Sequence, residues 1–480
     1  MADHLRLGLT FSDEVDPVVV GRIDYAFRLF CACFGFVPAA GGGIPRLCYG
    51  ADPHGPLDVS IPAGYRKERN ASTPEPTFVF GPRGLSVLLE RGFPAFHPAD
   101  GEIDWLGEIF AWCSGSLETS VTARDEVGRI PFAATVHGRH GLDPAVPYAA
   151  VAMWALNHAI RSRVGERWPE RPVTPPGVDG GFAVAATHDI DFLPVSAGAV
   201  LHRAVKNAAI ALAAGDAGRL ASMIGAAARR LGGATWLDRS LERLSDREAA
   251  EGIRSTYTVL CRRSHRRDGN YDITDPEVLR TLARLAERGA EIAVHGSYTS
   301  LEASGRLADE YGRLREVGFD PVGGRQHWLR TDGHALFDAL TETGARYDST
   351  VGYPERPGFR HGVCFPYPPY DFARERAHPF LEIPLVVMDA SLYAVDSDPT
   401  SWSVLARGVL DRARLHGWGG VAVLWHDTTM SGAQYPRALG DVYWALREPS
   451  DVWVPAAEIV EAVSVRYIDA GLLPDRTEAT

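Results

Sequence analysis

The chain has 480 residues, of which 45% are hydrophobic and 23% are charged, as is usual for a globular protein. Its formal net charge of -12 argues against a general nucleic-acid binder, which needs a basic face to neutralise phosphates. No run approaches the ~20 apolar residues that span a bilayer, and the N-terminus lacks the cationic and apolar pattern of a secretory signal. We therefore expect a cytoplasmic protein without a membrane span.

The length exceeds that of one ordinary domain, so two domains are expected. Residues 1–167 form a mixed region that predicts a smaller α/β accessory domain and ends near a helix predicted at Pro147–Val164. Residues 168–181 contain four prolines and three glycines, a composition typical of a linker. The six cysteines are scattered without a CxxC pair, which favours free buried thiols.

Apolar runs alternate with helical patterns from residue 182 to about residue 470. The predicted strands are Phe182–Ala186, Ser255–Leu260, Glu291–Val294, Phe380–Val387 and Val421–Leu424. The clearest helix is Pro276–Arg288, preceded by a capping-box pattern at Thr274 and Glu277 and followed by Gly289. This alternation predicts a parallel sheet that closes into a βα barrel. Residues 195–252 look helical and are expected to be an insertion, which could cap a site.

Ionisable residues follow the predicted strands one after another. They are Asp189, Asp191, His295, Arg325, His327, Asp348 and His426. Because reactive side chains of a βα barrel collect at the carboxyl ends of its strands, these residues are expected to share one rim. Taken singly, each has an ordinary explanation as a turn, a cap or an ion pair. Together they indicate a site, since so many desolvated ionisable groups cost stability unless they are paired or bind metal.

Aspartate and histidine are suitable ligands for a divalent cation such as zinc. A carboxylate beside such a cation can act as a general base, and a histidine across the site can protonate a leaving nitrogen. The set of residues therefore indicates metal-assisted hydrolysis of an amide or an ester.

The order of these motifs resembles that of the polysaccharide deacetylase family, carbohydrate esterase family 4. The resemblance covers roughly residues 181–470 and implies a distorted (β/α)7 barrel. It also implies a role for each matched residue: Asp189 as the base, Asp191 and His295 as metal ligands, Arg325 as the group that orients the base, Asp348 as the support of the catalytic histidine, and His426 as the general acid.

One position departs from the family's pattern. The second metal-binding histidine is expected four residues after His295, and Thr299 stands there. A hydroxyl is a poor ligand for a divalent cation, so another residue is needed to complete the set. His327 follows Arg325 by two residues, and we predict that it is the third ligand, although it could instead pack or contact substrate.

The resemblance implies removal of an N-acyl group, usually acetyl, from an amino sugar or a glycan precursor, with zinc as the expected cation. Tyr298, Trp328 and Trp425 flank the motifs and are candidate substrate-binding residues, or else core residues. The basic segment Arg262–Arg267 could hold substrate phosphates or be a solvated loop. Three other functions remain open: hydrolysis of another linear or cyclic amide, glycoside hydrolysis by two carboxylates, and sugar binding without catalysis.

Overall fold

A computed structural model describes most of the chain. The described residues are 5–40, 44–53, 55–65, 77–79, 93–99, 102–166, 168–172, 182–193, isolated positions between 205 and 224, 240–331, 335–396, 398–431 and 434–475. Most of the predicted linker and the predicted insertion up to residue 239 lie outside them. The division into domains at these boundaries therefore stays a prediction.

The N-terminal region is a mixed α/β unit. Its strands are β1 (Arg6–Phe11), β2 (Val37–Pro38), β3 (Arg46–Tyr49), β4 (Val59–Ile61), β5 (Thr77–Val79), β6 (Phe93–Ala95), β7 (Pro98–Ala99) and β8 (Glu102–Ile103). Its α-helices are α1 (Pro17–Phe34), α2 (Trp105–Cys113), α3 (Val136–His140) and α4 (Tyr148–Val164). The first four strands pair in parallel in the order β2-β1-β3-β4, and β5–β6 and β7–β8 form two antiparallel ribbons.

Helix α1 shows how the local sequence sets the limits of an element in this region. The Asp16 side chain accepts a hydrogen bond from the backbone N–H of Val18, and Pro17 occupies the first helical position. The helix ends at Gly35, whose φ of 76° is the left-handed conformation that glycine adopts at low cost. Most of the helix between these two positions is buried against the core.

The C-terminal region is built around one curved parallel sheet. Its strands and a short hairpin are β9 (Ala183–Ile190), β10 (Thr256–Leu260), β11 (Glu291–Gly296), β12 (Gly323–Gln326), β13 (Tyr347–Asp348), β14 (Tyr370–Asp371), β15 (Arg376–Ala377), β16 (Leu381–Glu382), β17 (Leu385–Met388), β18 (Gly420–Leu424) and β19 (Val452–Val454). The order is β16-β13-β12-β11-β10-β9-β18-β17, with β19 paired to β9 and the hairpin β14–β15 apart.

The sheet curls until its two edge strands are neighbours in the chain. β16 ends at Glu382 and β17 begins at Leu385, so two residues connect the edges. Since consecutive Cα atoms lie about 3.8 Å apart, these edges are within about 12 Å of each other. The strand pairs of the sheet are parallel. The prediction of a distorted (β/α)7 barrel is confirmed, with β16 and β19 as short strands beside the main seven.

Helices connect the strands and cover the outside of the barrel. They are α5 (Ser240–Ala250), α6 (Pro276–Glu287), α7 (Arg306–Glu316), α8 (Ala335–Thr343), α9 (Asp389–Val395), α10 (Pro399–His416), α11 (Asp427–Met430), α12 (Arg437–Ala445) and α13 (Ala456–Asp469). The predicted helix at Pro276 is confirmed, but its N-cap is Asp275, whose side chain accepts from the N–H of Glu277. Thr274 was therefore one residue away from the actual cap.

A single apolar cluster extends through both regions. It includes Leu7, Phe110 and Val151 from the N-terminal region and Val184 and Val421 from the barrel. The cysteines are free and buried, as predicted. Among the described residues, no helix combines the length and the apolar character that crossing a membrane requires.

Candidate active site

The ionisable residues predicted for the rim do collect at the carboxyl ends of the parallel strands. Asp189 lies near the end of β9, and His295 and Arg325 occupy register-paired positions on β11 and β12. Asp191 follows β9, and His426 follows β18 after one residue. The parallel arrangement therefore brings six of the seven predicted residues, including His327 after β12, into one rim.

Three of these residues form a compact set of candidate metal ligands. Oδ1 of Asp191 lies 3.4 Å from Nε2 of His295 and 3.3 Å from Nε2 of His327. One ligand atom from each residue lies within 4.8 Å of the other two. Two ligands bonded to a tetrahedral zinc ion at about 2.0–2.2 Å lie about 3.3–3.5 Å apart, so these separations suit such an ion.

The hydrogen bonds around this set leave lone pairs that face one another. Nδ1 of His295 donates to the backbone oxygen of Arg325 at 3.0 Å, which leaves the lone pair of a neutral ring on Nε2. Oδ1 of Asp191 is buried and has no hydrogen-bond partner. An acceptor nitrogen and an acceptor oxygen at this distance repel each other unless a proton or a metal cation lies between them. The donor set therefore fits a divalent cation.

The carboxylate of Asp268 faces Nδ1 of His327, on the side of the ring opposite Nε2. Nδ1 of His327 lies 3.5 Å from Oδ1 of Asp268, whose side chain is completely buried. Burial raises the pKa of Asp268, but His327 and hydrogen bonds from Tyr298 and Ser264 outweigh it and hold the pKa at about 2. A charged Asp268 favours a proton on Nδ1 of His327, which leaves Nε2 for a ligand role.

Thr299 takes no part in this set. Its hydroxyl donates to Oγ of Ser264 at 2.6 Å. The position where the resembling family has a second histidine is therefore occupied by a side chain that tethers the loop after β10. His327, unlike Thr299, lies within 4.8 Å of the ligand atoms of Asp191 and His295.

We predict that His327→Ala lowers zinc affinity more than about hundredfold, because even the loss of an outer-shell partner costs about 10–100-fold. Elemental analysis of the purified variant after dialysis provides the measurement. His158→Ala removes an exposed histidine on α4 and is the matched control, with wild-type zinc content expected. Full occupancy in the His327 variant contradicts its assignment as a ligand.

Asp189 is a buried carboxylate held between two donors. Its Oδ1 accepts from Nη1 of Arg325 at 2.9 Å and from the hydroxyl of Thr258 at 2.7 Å. Burial raises its pKa, but the charge of Arg325 leads the contributions that outweigh this and lower the pKa overall. Arg325 is itself fixed by Ser349 and Thr187, so it orients the carboxylate. A charged, oriented carboxylate of this kind can accept a proton from water.

His426 lies across the site with a different carboxylate partner from the one predicted. Its Nδ1 lies 2.8 Å from Oδ1 of Asp389, and its backbone N–H donates to Oδ2 of the same residue at 2.8 Å. Its Nε2 lies 3.8 Å from Oδ2 of Asp191. Burial lowers the pKa of His426, but Asp389, Asp191 and Asp189 outweigh it and raise the pKa to about 10. The ring is therefore a proton donor at neutral pH.

The prediction that Asp348 supports His426 is wrong. Asp348 accepts instead from the backbone N–H and the hydroxyl of Thr350, and it lies beside Glu382. Burial raises the pKa of both carboxyls, and that of Glu382 well above its ordinary value, in part through the charge of Asp348. The two acids are best described as a buried pair that retains a proton, on the neighbouring strands β13 and β16.

The three predicted aromatic residues have different surroundings. Trp425 is fully buried, and its indole N–H donates to the backbone oxygen of Leu439 at 2.9 Å. The prediction that Trp425 contacts substrate is therefore wrong, because it is a core residue. Trp328 is 40% exposed beside His327, and Tyr298 is half-buried on the same rim. These two rings remain available to a substrate.

His188 and Glu248 form a buried pair next to the site residues, and the sequence did not predict this pair. Nδ1 of His188 lies 2.6 Å from the backbone oxygen of Trp425, and its Nε2 lies 2.8 Å from Oε1 of Glu248. Both partners are acceptors, so the ring carries two protons. His188 directly precedes Asp189 and bonds the residue before His426, which connects the strands that carry the two candidate proton-transfer groups.

Comparison with known proteins gives limited similarity. No family model matches the sequence. No curated protein matches it. Among solved structures, the chain is similar to a chitin deacetylase from Colletotrichum lindemuthianum, with a TM-score of 0.29 and 11% identity, over 57% of this chain and 85% of that one. It is also similar to a polysaccharide deacetylase from Bacillus cereus, with a TM-score of 0.27 and 10% identity, over 62% of this chain and 94% of that one.

Both TM-scores are low, so the description of the fold rests on the strand order and the parallel pairing of the sheet itself. The description of the site likewise rests on its own distances. What the chain has, by its own geometry, is a distorted parallel βα barrel with an Asp-His-His cluster and two proton-transfer candidates at its carboxyl-terminal rim.

Proposed function

We propose that the protein is a metal-dependent hydrolase that removes an N-acyl group, usually acetyl, from an amino sugar or a glycan precursor. The observation that carries the proposal is the convergence of Asp191, His295 and His327 between a charged carboxylate, Asp189, and a protonated imidazole, His426. Amide hydrolysis needs such a base and such an acid on either side of the carbonyl carbon.

The cation-binding residues in this proposal are Asp191, His295 and His327. These residues would hold a divalent cation, whose Lewis acidity would polarise an acyl carbonyl and lower the pKa of water. Asp189 accepts the proton as water attacks the carbonyl carbon. Arg325 keeps Asp189 charged and directed at the site through the 2.9 Å hydrogen bond.

His426 completes the reaction from the other side. As the C–N bond breaks, Nε2 donates its proton to the departing amine, which leaves as a neutral group. Asp389 accepts from Nδ1, which keeps the ring oriented and stabilises its protonated form. The acyl group departs as a carboxylic acid that ionises in solvent, the proton held by Asp189 also returns to solvent, and His426 takes up a proton from solvent before the next turnover.

The charge states of the two aspartates oppose the glycoside hydrolase alternative. That reaction needs one carboxyl group that remains protonated so that it can donate to the leaving oxygen. The pKa values of both Asp189 and Asp191 are lowered despite burial, by Arg325 in the first case and by His327 in the second. Neither carboxyl is therefore suited to donate a proton at neutral pH.

The test is elemental analysis of the purified protein, followed by a screen for acetate release from free and phosphorylated N-acetyl amino sugars. We expect bound zinc and chelator-sensitive release of acetate. Metal-free protein that still binds a glycan would instead establish the inactive sugar-binding relative. Activity confined to other amides would establish a hydrolase with a different substrate.

Asp389→Asn is expected to lower turnover about 100- to 10,000-fold, the usual contribution of general acid catalysis. An amide that turns its NH2 toward Nδ1 of His426 stabilises the wrong tautomer and removes the charge that keeps the ring protonated. Acetate release at a fixed zinc content measures the effect. Asp348→Asn serves as the comparison, because its contacts lie elsewhere; a larger loss in that variant would contradict the assignment of Asp389.

A further inference from the structure

A group of rings and guanidinium groups lies on the rim beside the candidate metal ligands. We refer to His265, Arg267, Tyr298, Trp328 and Arg330 as the ring–guanidinium cluster. The His265 ring stacks on Tyr298, with centroids 4.5 Å apart and an interplanar angle of 18°. The Arg267 guanidinium lies 5.3 Å from the Tyr298 centroid and 5.6 Å from the Trp328 centroid, and that of Arg330 lies 4.2 Å from Tyr298. These distances are typical of cation–π contacts.

This cluster is connected to the active site through shared contacts. Trp328 directly follows His327, and their ring centroids are 5.6 Å apart. The backbone N–H of Tyr298 donates at 2.7 Å to Oδ1 of Asp268, the carboxylate that lies behind His327. A molecule whose acyl group reaches His327 is therefore within reach of these rings.

Among the described residues, two arginines of the cluster have no carboxylate partner. Within the part of the chain that the structure describes, neither Arg267 nor Arg330 forms an ion pair. The nearby Asp268 is buried and accepts from the backbone of Ser264 and His265. Arg129 of the N-terminal region is neutralised by Asp125 at 2.8 Å. A local positive charge thus persists on a chain whose net charge is -12.

The backbone at Trp328 is held in an unfavourable conformation. Its φ is 65°, and that of Leu329 is 51°, in the left-handed region that bulky residues avoid. Nη1 of Arg129 donates to the backbone oxygen of Trp328 at 3.1 Å, which helps to hold this turn. The result is an indole ring that is 40% exposed next to a candidate metal ligand. Strain retained beside a reactive site is a common mark of a binding role.

We propose that the ring–guanidinium cluster binds a phosphate group carried by the acylated amino sugar. Arg267 and Arg330 pair with the phosphate oxygens, and the exposed indole ring of Trp328 contacts the sugar ring. Tyr298, whose faces are covered by His265 and Arg330, holds the guanidinium groups in place. This assignment rests on the proposed function, because it specifies the substrate class of the same site. The phosphate belongs either to a sugar monophosphate or to the diphosphate of a nucleotide-linked sugar, and the two share the chemistry of recognition.

Binding of inorganic phosphate to the zinc-loaded protein tests the cluster without reference to turnover. In calorimetric titrations at low ionic strength, Arg267→Gln is expected to weaken phosphate binding about tenfold, the value of a charged hydrogen bond. Arg330→Gln is a second variant with the same expectation. Arg266→Gln, an exposed arginine of the same loop with no ring contact among the described residues, is the matched control and is expected to bind as the wild type does.

Acetate release from three substrates then identifies the source of the phosphate. They are N-acetylglucosamine, its phosphate monoesters and its uridine diphosphate derivative. For the preferred phosphorylated substrate, the ratio of its kcat/KM to that of the free sugar is expected to fall about tenfold in Arg267→Gln, mainly through KM.

Two outcomes separate the inference from the proposed function. Unchanged phosphate binding in both Arg267→Gln and Arg330→Gln overturns the inference, even if acetate is released, because the phosphate would then be held by the cation or elsewhere. A wild-type protein that releases acetate from the free sugar and its phosphates at equal kcat/KM also overturns it. Absence of acetate release from every substrate, with arginine-dependent phosphate binding intact, refutes the proposed function alone.

Discussion

Replacing Asp189 by asparagine is expected to lower the hydrolysis of an acylated amino sugar by about 100- to 10,000-fold while the zinc content stays unchanged. The asparagine Oδ1 can still accept from Arg325 and from Thr258, which donate at 2.9 and 2.7 Å to the same atom in the wild type. The fold and the cation site are therefore retained. What the amide lacks is the ability to take a proton from the attacking water.

The measurement combines turnover with elemental analysis on the same preparation. Asp309→Asn, which removes an exposed carboxylate on α7, is the matched control and is expected to have wild-type activity. Turnover within a few-fold of the wild type in Asp189→Asn would show that another group is the base. Loss of zinc together with activity would instead assign Asp189 to the metal site.

The second large effect is expected on stability, at Glu248. This buried carboxylate accepts from four side chains: His188, Ser255, Tyr257 and Tyr443. In Glu248→Gln, one oxygen becomes an NH2 group that faces donors, and His188 loses its counter-charge. Because breaking a buried pair from one side costs about 3–5 kcal/mol, the free energy of unfolding should fall by that amount.

Urea denaturation of Glu248→Gln measures this loss. Glu251→Gln, one residue beyond the end of the same helix, is the control, since its ion pair with Arg247 is on the surface and such pairs contribute less than about 1 kcal/mol. A loss at Glu248 no larger than that at Glu251 would mean that the buried pair has no net effect on stability.

The destabilisation caused by Glu248→Gln is expected to depend on pH, because the pKa values of both His188 and Glu248 are shifted in the folded protein. Burial opposes both charges, but Glu248 raises the pKa of His188, and His188 lowers the pKa of Glu248. The raised pKa of His188 contributes its full stabilisation below the unfolded pKa of about 6.5. This contribution decreases as the pH rises through the higher pKa of the folded state. The lowered pKa of Glu248 contributes its full stabilisation above the unfolded pKa of about 4.3. This contribution decreases as the pH falls through the lower pKa of the folded state. The destabilisation by Glu248→Gln should therefore be largest between about pH 4.3 and pH 6.5.

The barrel and its rim could be predicted from the sequence because both depend on local patterns. Buried strands of a parallel sheet appear as apolar runs, and the rule that reactive groups follow such runs identifies Asp189, His295 and His426 without any structure. Asp389 follows the same rule, since it comes directly after the strand Leu385–Met388. The sequence analysis does not identify Asp389, because the predicted strand ends at Val387 and the observed strand ends at Met388.

The partners of the rim residues could not be predicted in this way. Thr258 reaches Asp189 across 69 positions in the chain, and Glu248 reaches His188 across 60. A hydroxyl inside a buried strand or a carboxylate inside an amphipathic helix gives no distinctive pattern. Such pairings depend on which strands become neighbours. The prediction that Asp348 supports His426 was wrong for this reason, because the pairing of β13 with β16 brings Glu382 beside Asp348.

The apolar cluster that runs through both regions has a consequence for any attempt to study the barrel alone. Helix α13 packs against α1, and α10 against α4, so these helices are interior elements only while the first half of the polypeptide is present. A shortened polypeptide starting near Phe182 would leave those surfaces in contact with water and prone to self-association. We therefore expect that the barrel can be expressed and purified as a folded protein only together with the N-terminal region.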